Sequence, residues 1–153
     1  MSSSWIVNTD GGARGNPGPA GIGIVLRSPD GAIVAEGGAY LDETTNNVAE
    51  YEAVLWGLRA ALAAGASRVE VRADSELVVK QMNGAYRVKS PGLRPLFLEA
   101  QQLRRRFERA DFVHVRREAN AEADALANRA MDARAVIGDA PEPPVRSART
   151  LFE

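Results

Sequence analysis

The chain has 153 residues, of which 45% are hydrophobic and 25% are charged, a composition typical of one soluble globular domain with a proper hydrophobic core. It contains no cysteine, which excludes disulfides, thiolate metal sites and a cysteine nucleophile. The net charge of −1 argues against a protein that coats nucleic acid. Because the first residues lack the pattern of a secretory signal and no apolar stretch approaches a membrane span, we expect a cytoplasmic protein without a membrane partner.

The first half of the chain predicts three strands and then a helix. Turn-forming residues fill positions 11–19, and Pro29-Asp30-Gly31 predicts a hairpin turn, so the strands on either side of it must pair antiparallel. Apolar residues then recur three and four apart until Gly65, which is typical of a helix with a glycine stop. The predicted elements are strands at 5–10, 21–26 and 32–40 and a helix over 48–62.

The second half predicts a strand, two helices, a further strand and a last helix. These are a strand at 68–73, helices at 75–83 and 93–107, a strand at 112–115 and a helix capped by Asn120. From residue 134 the prolines and balanced charges predict an extended tail or linker, which divides the chain into a domain at 1–133 and a tail at 134–153. The order of elements predicts an α/β fold with a mixed five-stranded sheet, three antiparallel strands followed by parallel strands, flanked by helices.

Four acidic residues lie where predicted strands end or predicted helices begin. Asp10 and Asp74 each follow a strand, whereas Glu50 and Asp124 lie in the first turns of helices. Carboxylates from the ends of several elements can converge on one point of an α/β fold and hold hard divalent cations through oxygen ligands. Such a cluster predicts metal-assisted phosphoryl chemistry.

Each of these acids also has an ordinary structural explanation. Asn47 and Glu50 have the spacing of a helix capping box, and Asp74 could be a plain helix cap. Asp124 could simply favour the positive end of its helix. Helix geometry alone does not separate Glu50 from Glu52 as the functional acid.

Five short motifs carry a family resemblance, because they occur in one order and on the expected elements. Together they resemble ribonuclease H type 1 over roughly Trp5 to Met131, which implies an RNase H-like fold for the domain at 1–133. The motifs are Thr9-Asp10-Gly11-Gly12, Gly15-Asn16-Pro17-Gly18-Pro19, Thr45-Asn46-Asn47-Val48-Ala49-Glu50, Ala73-Asp74-Ser75 and Asn120-Ala121-Glu122-Ala123-Asp124.

The resemblance implies a metal-dependent endoribonuclease that hydrolyses the RNA strand of RNA/DNA hybrids to 5′-phosphate and 3′-hydroxyl ends. It implies that Asp10, Glu50, Asp74 and Asp124 are the catalytic residues and the ligands of two Mg²⁺ ions, or of Mn²⁺. The family pattern thus selects Glu50 among the acids of its helix. Two divalent ions suit this reaction because they can activate water and stabilise the leaving oxygen.

The resemblance also implies substrate contacts, at Gly11, Asn16, Asn46, Asn47 and Arg117. Short amides and backbone groups can test the wide minor groove of an A-form-like hybrid without reading its sequence. Turn formation and helix capping remain the alternative for the asparagines, and for Asn47 above all. Both roles can hold at once.

Two departures from the best-known bacterial pattern bear on function. The histidine that this pattern carries before the last helix is missing; Arg117 lies there instead, as in the archaeal-type branch, and we expect His114 to be a partly buried strand residue. The segment from Met82 to Leu93 is too short for the basic protrusion, which predicts modest hybrid affinity. The Arg104–Arg106 run is equally consistent with a solvated helix face and with a phosphate-facing patch.

Three further expectations concern the protein as a whole. The strongest alternative function is a catalytically weak RNase H-like module that only binds nucleic acid. We expect a monomer, and the archaeal-type resemblance also allows activity on double-stranded RNA. The tail is consistent with a joint to a C-terminal domain in a longer bifunctional protein.

Overall fold

A mixed β-sheet lies at the centre of the chain, and the computed structural model describes residues 3–144 of it. The rest of the predicted tail, residues 145–153, lies outside the described residues. The strands are β1 (Trp5–Ala13), β2 (Gly18–Arg27), β3 (Ile33–Thr44), β4 (Arg68–Ala73), β5 (Arg109–His114) and β6 (Val136–Gly138). The helices are α1 (Asn46–Ala63), α2 (Glu76–Met82), α3 (Arg94–Arg104) and α4 (Ala121–Ala133), and a 3-10 turn at Arg117–Asn120 precedes α4.

The strands lie in the order β5-β4-β1-β2-β3-β6. β1, β2 and β3 pair antiparallel, whereas β4 pairs parallel with β1 and with β5. This confirms the predicted α/β class and the change from antiparallel to parallel strands. The parallel pairs matter most for function, because their carboxyl ends open at one edge of the sheet.

The sheet has six strands in the described residues, not the predicted five. Residues 136–138 of the predicted tail pair antiparallel with Gly37–Ala39 of β3. The indole N–H of Trp56 donates to the carbonyl oxygen of Pro141 at 2.8 Å, which ties the following residues to α1. A strand of three residues followed by prolines is too short to show a periodicity, so the sequence pattern did not reveal it. Residues 136–138 of the tail therefore belong to the sheet, and the domain boundary at residue 133 stays a prediction.

Helices cover both faces of the sheet. α1 packs against β1 and β2 on one face, and α3 packs against α1. α4 covers β2 and β3 on the other face. None of the helices within residues 3–144 is both long and apolar enough to cross a membrane.

The first arginine of the Arg104–Arg106 run has a structural role. Its guanidinium donates to the carbonyl oxygen of Met82 at 2.6 Å and lies over the ring of Phe112, 5.1 Å from the ring centre. α3 ends at this residue, three residues before the predicted end. Arg105 and Arg106 are exposed, so a phosphate-facing patch would consist of those two side chains only.

Candidate active site

Two acidic residues lie side by side where the parallel pairing of β1 with β4 ends. The pairing of β1 with β4 ends at Thr9 opposite Ala73. Asp10 and Asp74 are the next residues on the two strands, so their side chains emerge next to each other. The convergence of these two acids therefore follows directly from the strand register.

Glu50, the fifth residue of α1, completes a compact group of carboxylates. Within the described residues, Asp10, Glu50 and Asp74 each offer a carboxylate oxygen, and these oxygens lie within 4.8 Å of one another. The backbone N–H of Gly11 donates to Glu50 Oε1 at 3.1 Å, which orients that carboxylate. Gly11 permits this close approach because a Cβ there would lie 2.4 Å from the carbonyl oxygen of Ala49.

Other residues cap the two helices, so the capping explanations for Glu50 and Asp74 do not hold. The hydroxyl of Thr45 accepts from the N–H of Val48 and caps α1. Ser75 caps α2 in the same way. The predicted cap Asn47 already lies inside α1, because the helix is capped two residues earlier than a capping box with Glu50 would require.

The rival acid on α1 is not a member of this group. Glu52 is 8% exposed, and the group of carboxylates in the described residues that could hold a metal ion contains Glu50 instead. Two residues along a helix correspond to a rotation of about 200°, which turns the two side chains to nearly opposite sides. The choice that the family pattern made between these acids therefore agrees with the geometry.

Asp124 reaches the same place from the opposite face of the sheet. α4 lies directly on β2, and a Cβ on Gly23, the strand partner of Asp10, would lie 2.1 Å from the carbonyl oxygen of Ala123. The missing side chain therefore lets the first turn of α4 approach β2 next to Asp10. Asp124 lines one open cleft of about 560 Å³ with Asp10, Glu50 and Asp74.

A buried amide network joins the start of α4 to β1. The Nδ2 of Asn120 donates to the carbonyl oxygen of Thr9 at 2.8 Å, and its Oδ1 accepts from Asn8 Nδ2 at 3.0 Å. Asn120 is 1% exposed and occupies the N-cap position of α4, as predicted, but its side chain makes no cap hydrogen bond. Its amide instead fixes the helix, and with it Asp124, relative to Asp10.

Crowding of the acids changes their protonation. Burial, the charge of Asp74 and interactions with Asp124 raise the pKa of Asp10 from 3.8 to about 8. Burial and the charges of Asp10 and Asp74 also raise the pKa of Glu50, which the Gly11 N–H lowers in part. Carboxylates crowded in this way bind a proton or a cation more strongly than isolated ones do.

The donor set fits hard divalent cations. It consists of carboxylate oxygens, the ligands that magnesium and manganese prefer, and it is open to solvent through the cleft. A bound cation would neutralise charges that otherwise repel one another. Asp10, Glu50 and Asp74 would be its ligands, with Asp124 at their side.

Basic side chains line the rim of the cleft. Arg117, which was predicted to contact substrate, is exposed there together with Arg116, and Arg14 lines the side next to α4. His114 also lines the cleft and is exposed, so the expectation of a partly buried strand residue was wrong. It is the last residue of β5 and pairs with Ala73, one position before Asp74. The exposure of His114 depends on how β5 pairs with β4, and the alternation of residues within a single strand does not reveal that pairing.

The predicted substrate residues separate into two adjacent groups. Asn46 lines the acidic cleft, and its Oδ1 accepts from the N–H of Ala13 at 2.7 Å. Asn16 and Asn47 line a neighbouring groove with Ser90, and Asn16 Oδ1 accepts from the N–H of Asn46 at 3.1 Å. Hydrogen bonds from β1 and from the start of α1 therefore hold Asn46 and Asn16 in place. Residues 83–93 between α2 and α3 form a loop in place of a basic protrusion.

Known proteins match both the sequence and the fold. A family model described as reverse transcriptase-like matches residues 8–130. The chain is 49% identical over 123 residues to ribonuclease HI of Halobacterium salinarum, a match that covers 80% of the chain and 62% of the relative. It is 43% identical over 146 residues to a bifunctional protein of Mycobacterium tuberculosis, covering 95% of the chain and 40% of the relative. The chain thus spans less than two thirds of either relative's length.

A solved structure matches over nearly its whole length. LC11-RNase H1, solved in complex with an RNA/DNA hybrid, superposes with a TM-score of 0.82 at 48% identity. The match covers 86% of this chain and 99% of that protein. The family model, the sequence identity and the shared fold agree, and the chain belongs to the ribonuclease H type 1 family.

Proposed function

We propose that this chain is an endoribonuclease that hydrolyses the RNA strand of RNA/DNA hybrids with divalent metal ions. The observation that carries the proposal is the group of three carboxylate oxygens, from Asp10, Glu50 and Asp74, within 4.8 Å of one another. Asp124 lines the same cleft and is the proposed fourth catalytic acid. Membership of a family of ribonucleases supports the same reaction class.

The acids would hold two ions, Mg²⁺ or Mn²⁺. When bound, such ions activate the attacking water and stabilise the leaving oxygen, which yields 5′-phosphate and 3′-hydroxyl ends. The protein's own contribution is orientation: the Gly11 N–H fixes Glu50, and the Asn120 amide fixes the start of α4 beside β1. Groups held in place before substrate arrives need no reorganisation during the reaction.

Positive charge at the rim would attract and position the substrate backbone. Arg116 and Arg117 are exposed at the cleft and carry guanidinium groups suited to phosphate. Arg117 cannot act as a proton shuttle near neutral pH, because a guanidinium stays protonated. Its proposed role is therefore to hold a phosphate.

Selectivity for a hybrid would come from the asparagines beside the cleft. Asn16, Asn46 and Asn47 present amides that can contact 2′-hydroxyls and backbone in a shallow minor groove. The relative solved with an RNA/DNA hybrid supports this substrate class. Activity on double-stranded RNA, a monomeric state and a cytoplasmic location stay predictions.

Two alternatives remain within the proposal. A module that only binds nucleic acid would not need the four acids together in one cleft, so the geometry favours catalysis. The mycobacterial relative is named bifunctional and is more than twice as long, which supports the proposal that this chain is the nuclease part of a longer protein. The length of the native open reading frame tests the second proposal.

The direct test is cleavage of a hybrid with a label on either strand. We expect cleavage of the RNA strand only, in magnesium or manganese, with no cleavage in chelator. Matched DNA duplex and single-stranded RNA are the controls. If the protein cleaves the hybrid neither in magnesium nor in manganese, the proposal is overturned in favour of a binding module.

A further inference from the structure

One arginine at the cleft is held by an acid, unlike its neighbours. Arg14, in the loop after β1, pairs with Asp132 of α4, with Nη1 to Oδ1 at 2.8 Å. Its Nη2 also donates to Asn128, to Oδ1 at 3.2 Å and to the carbonyl oxygen at 3.4 Å. The guanidinium thus spans from the β1–β2 loop to the helix that carries Asp124.

The partners of Arg14 follow from the helical spacing of α4. Asp124, Asn128 and Asp132 lie four residues apart, so they form one row along the helix surface. Asn128 links the row, since its Nδ2 donates to the carbonyl oxygen of Asp124 at 3.0 Å. The row leads from the catalytic acids out to the ion pair of Arg14.

The other arginines of the cleft have no such partner. Within residues 3–144, neither Arg116 nor Arg117 forms an ion pair or a side-chain hydrogen bond. These two are ready to bind phosphate, whereas the charge of Arg14 is compensated by Asp132. The cleft therefore has unpaired guanidinium groups on the β5 side, whereas on the α4 side the positive charge of Arg14 is neutralised by Asp132.

We propose that Arg14 binds a phosphate of the nucleic acid and that Asp132 masks this arginine until the substrate arrives. The inference rests on the proposed function and adds a residue that contacts the substrate. The pair is exposed, with 48% of the Arg14 side chain and 67% of the Asp132 side chain accessible, so water screens it strongly. Exchanging an exposed carboxylate for a phosphate costs little, because such pairs are worth at most a few-fold in equilibrium.

The row of Asp124, Asn128 and Asp132 on α4 matters when Arg14 exchanges Asp132 for a phosphate. When Arg14 moves from Asp132 to a phosphate, it still lies next to Asn128, whose amide is bonded to the backbone of Asp124. The strand held by Arg14 would then run beside the catalytic acids. Arg14 is thus placed to align the substrate backbone with α4, opposite Arg117.

The test is the effect of five variants on hydrolysis of a short labelled RNA/DNA hybrid in magnesium over a series of salt concentrations. Arg14→Ala should raise KM by about three- to tenfold with kcat largely retained, since a charge-assisted hydrogen bond is lost. Its salt dependence of log(kcat/KM) should become shallower by about 0.9, the value for one lost phosphate contact. Arg14→Lys should keep the salt slope and recover part of the KM.

Asp132→Asn separates masking from simple anchoring. It frees Arg14 and should lower KM by about two- to fivefold, the strength of an exposed ion pair. In the Arg14→Ala background the same change should have no effect, whereas a general effect of removing negative charge would persist there. Arg129→Ala, an exposed arginine of α4 that does not line the cleft, is the matched control and should leave the KM near the wild-type value.

The outcomes distinguish this inference from the proposed function. If wild-type protein cleaves the hybrid but Asp132→Asn raises KM or lowers kcat, the ion pair is a structural clamp and the inference is overturned. The same holds if Arg14→Ala lowers kcat and leaves KM and the salt slope unchanged. If the wild-type protein does not cleave the hybrid, the proposed function fails and this inference fails with it. Melting temperatures of each variant show that the comparison concerns folded protein.

Discussion

The backbone N–H of Gly11 donates to Oε1 of Glu50 at 3.1 Å, and this bond joins β1 to α1 beside Asp10. It requires that β1 approach the helix backbone closely. A side chain at position 11 would prevent that approach, since its Cβ would lie 2.4 Å from the carbonyl oxygen of Ala49. The motif Asp10-Gly11 thus couples the position of one acid to the orientation of another.

Gly11→Ala should therefore destabilise the protein and displace Glu50. We expect a loss of about 1–3 kcal/mol in the free energy of unfolding, the range for overpacking a buried position. Gly12→Ala is the matched control, because a Cβ there would meet only Asn46 Oδ1, at 3.8 Å. Urea denaturation checks both variants. Equal stabilities for the two would contradict the close approach.

The acid cluster predicts a pH-dependent stability in the absence of metal. The pKa of Asp10 rises from 3.8 to about 8 on folding, so the folded state binds a proton that the unfolded state releases. The resulting stability is present below about pH 4 and is lost as the pH rises through about 8. We therefore expect the melting temperature in chelator to fall as the pH rises from about 5 to about 8.5. The fall should be smaller in Asp10→Asn, which lacks the titrating carboxyl.

Magnesium should reverse this loss, because it binds the deprotonated acids. The increase in melting temperature on adding magnesium should therefore be larger at the alkaline end of the range than at the acidic end. Asp111→Asn, which removes an exposed acid paired with Arg109, should keep the wild-type profile. A magnesium effect that is equal at both ends would contradict competition between protons and metal.

The hydroxyl of Thr9 predicts an unusual response to substitution. Thr9 Oγ1 is the buried side-chain polar atom without a hydrogen-bond partner in the described residues. Thr9→Val replaces it with a methyl group of similar shape and should leave stability unchanged or raise it, by up to about 1–3 kcal/mol. Thr45→Val makes the same chemical change at the cap of α1 and should cost about 1 kcal/mol. Thermal or urea unfolding measures the stability of both variants. A large loss of stability in Thr9→Val would show that the Thr9 hydroxyl forms a hydrogen bond, contrary to this prediction.

The last strand predicts where the folded domain can be shortened. A chain that ends at residue 134 lacks β6 and the Pro141 carbonyl that accepts from Trp56, so it exposes the edge of β3 and the buried indole. We expect it to lose about 1–3 kcal/mol or more relative to a chain that ends at residue 144. Denaturant unfolding of the two chains measures this difference. Equal stabilities would support the predicted boundary at residue 133.

The order of elements and the main acids could be predicted from the sequence, for physical reasons. The sequence predicted strands that end at Asp10 and before Asp74, and parallel strands place both acids at one edge; β1 in fact continues to Ala13, but its pairing with β4 ends at Thr9. Helical periodicity alone did not identify Glu50 as the functional acid. What distinguishes it from Glu52 is its hydrogen bond with the Gly11 N–H, together with Thr45 as the cap of α1.

What could not be predicted depends on contacts between distant segments. β6 is defined by its pairing with β3 and not by its own three residues. The exposure of His114 depends on the register of β5 against β4, and the pairing of Arg14 with Asp132 depends on how α4 lies across the sheet. None of these relationships has a local pattern in the chain.

The measurement that tests the central claim most directly is the rate of RNA-strand cleavage by Asp10→Asn, with Asp111→Asn as the control. We expect Asp10→Asn to fold at least as stably as the wild type without metal, since repulsion among the acids is relieved, yet to cleave about a hundredfold more slowly or worse. Asp111→Asn should cleave at the wild-type rate. A folded Asp10→Asn variant that cleaves the hybrid as fast as the wild type would contradict a catalytic carboxylate cluster at this edge of the sheet.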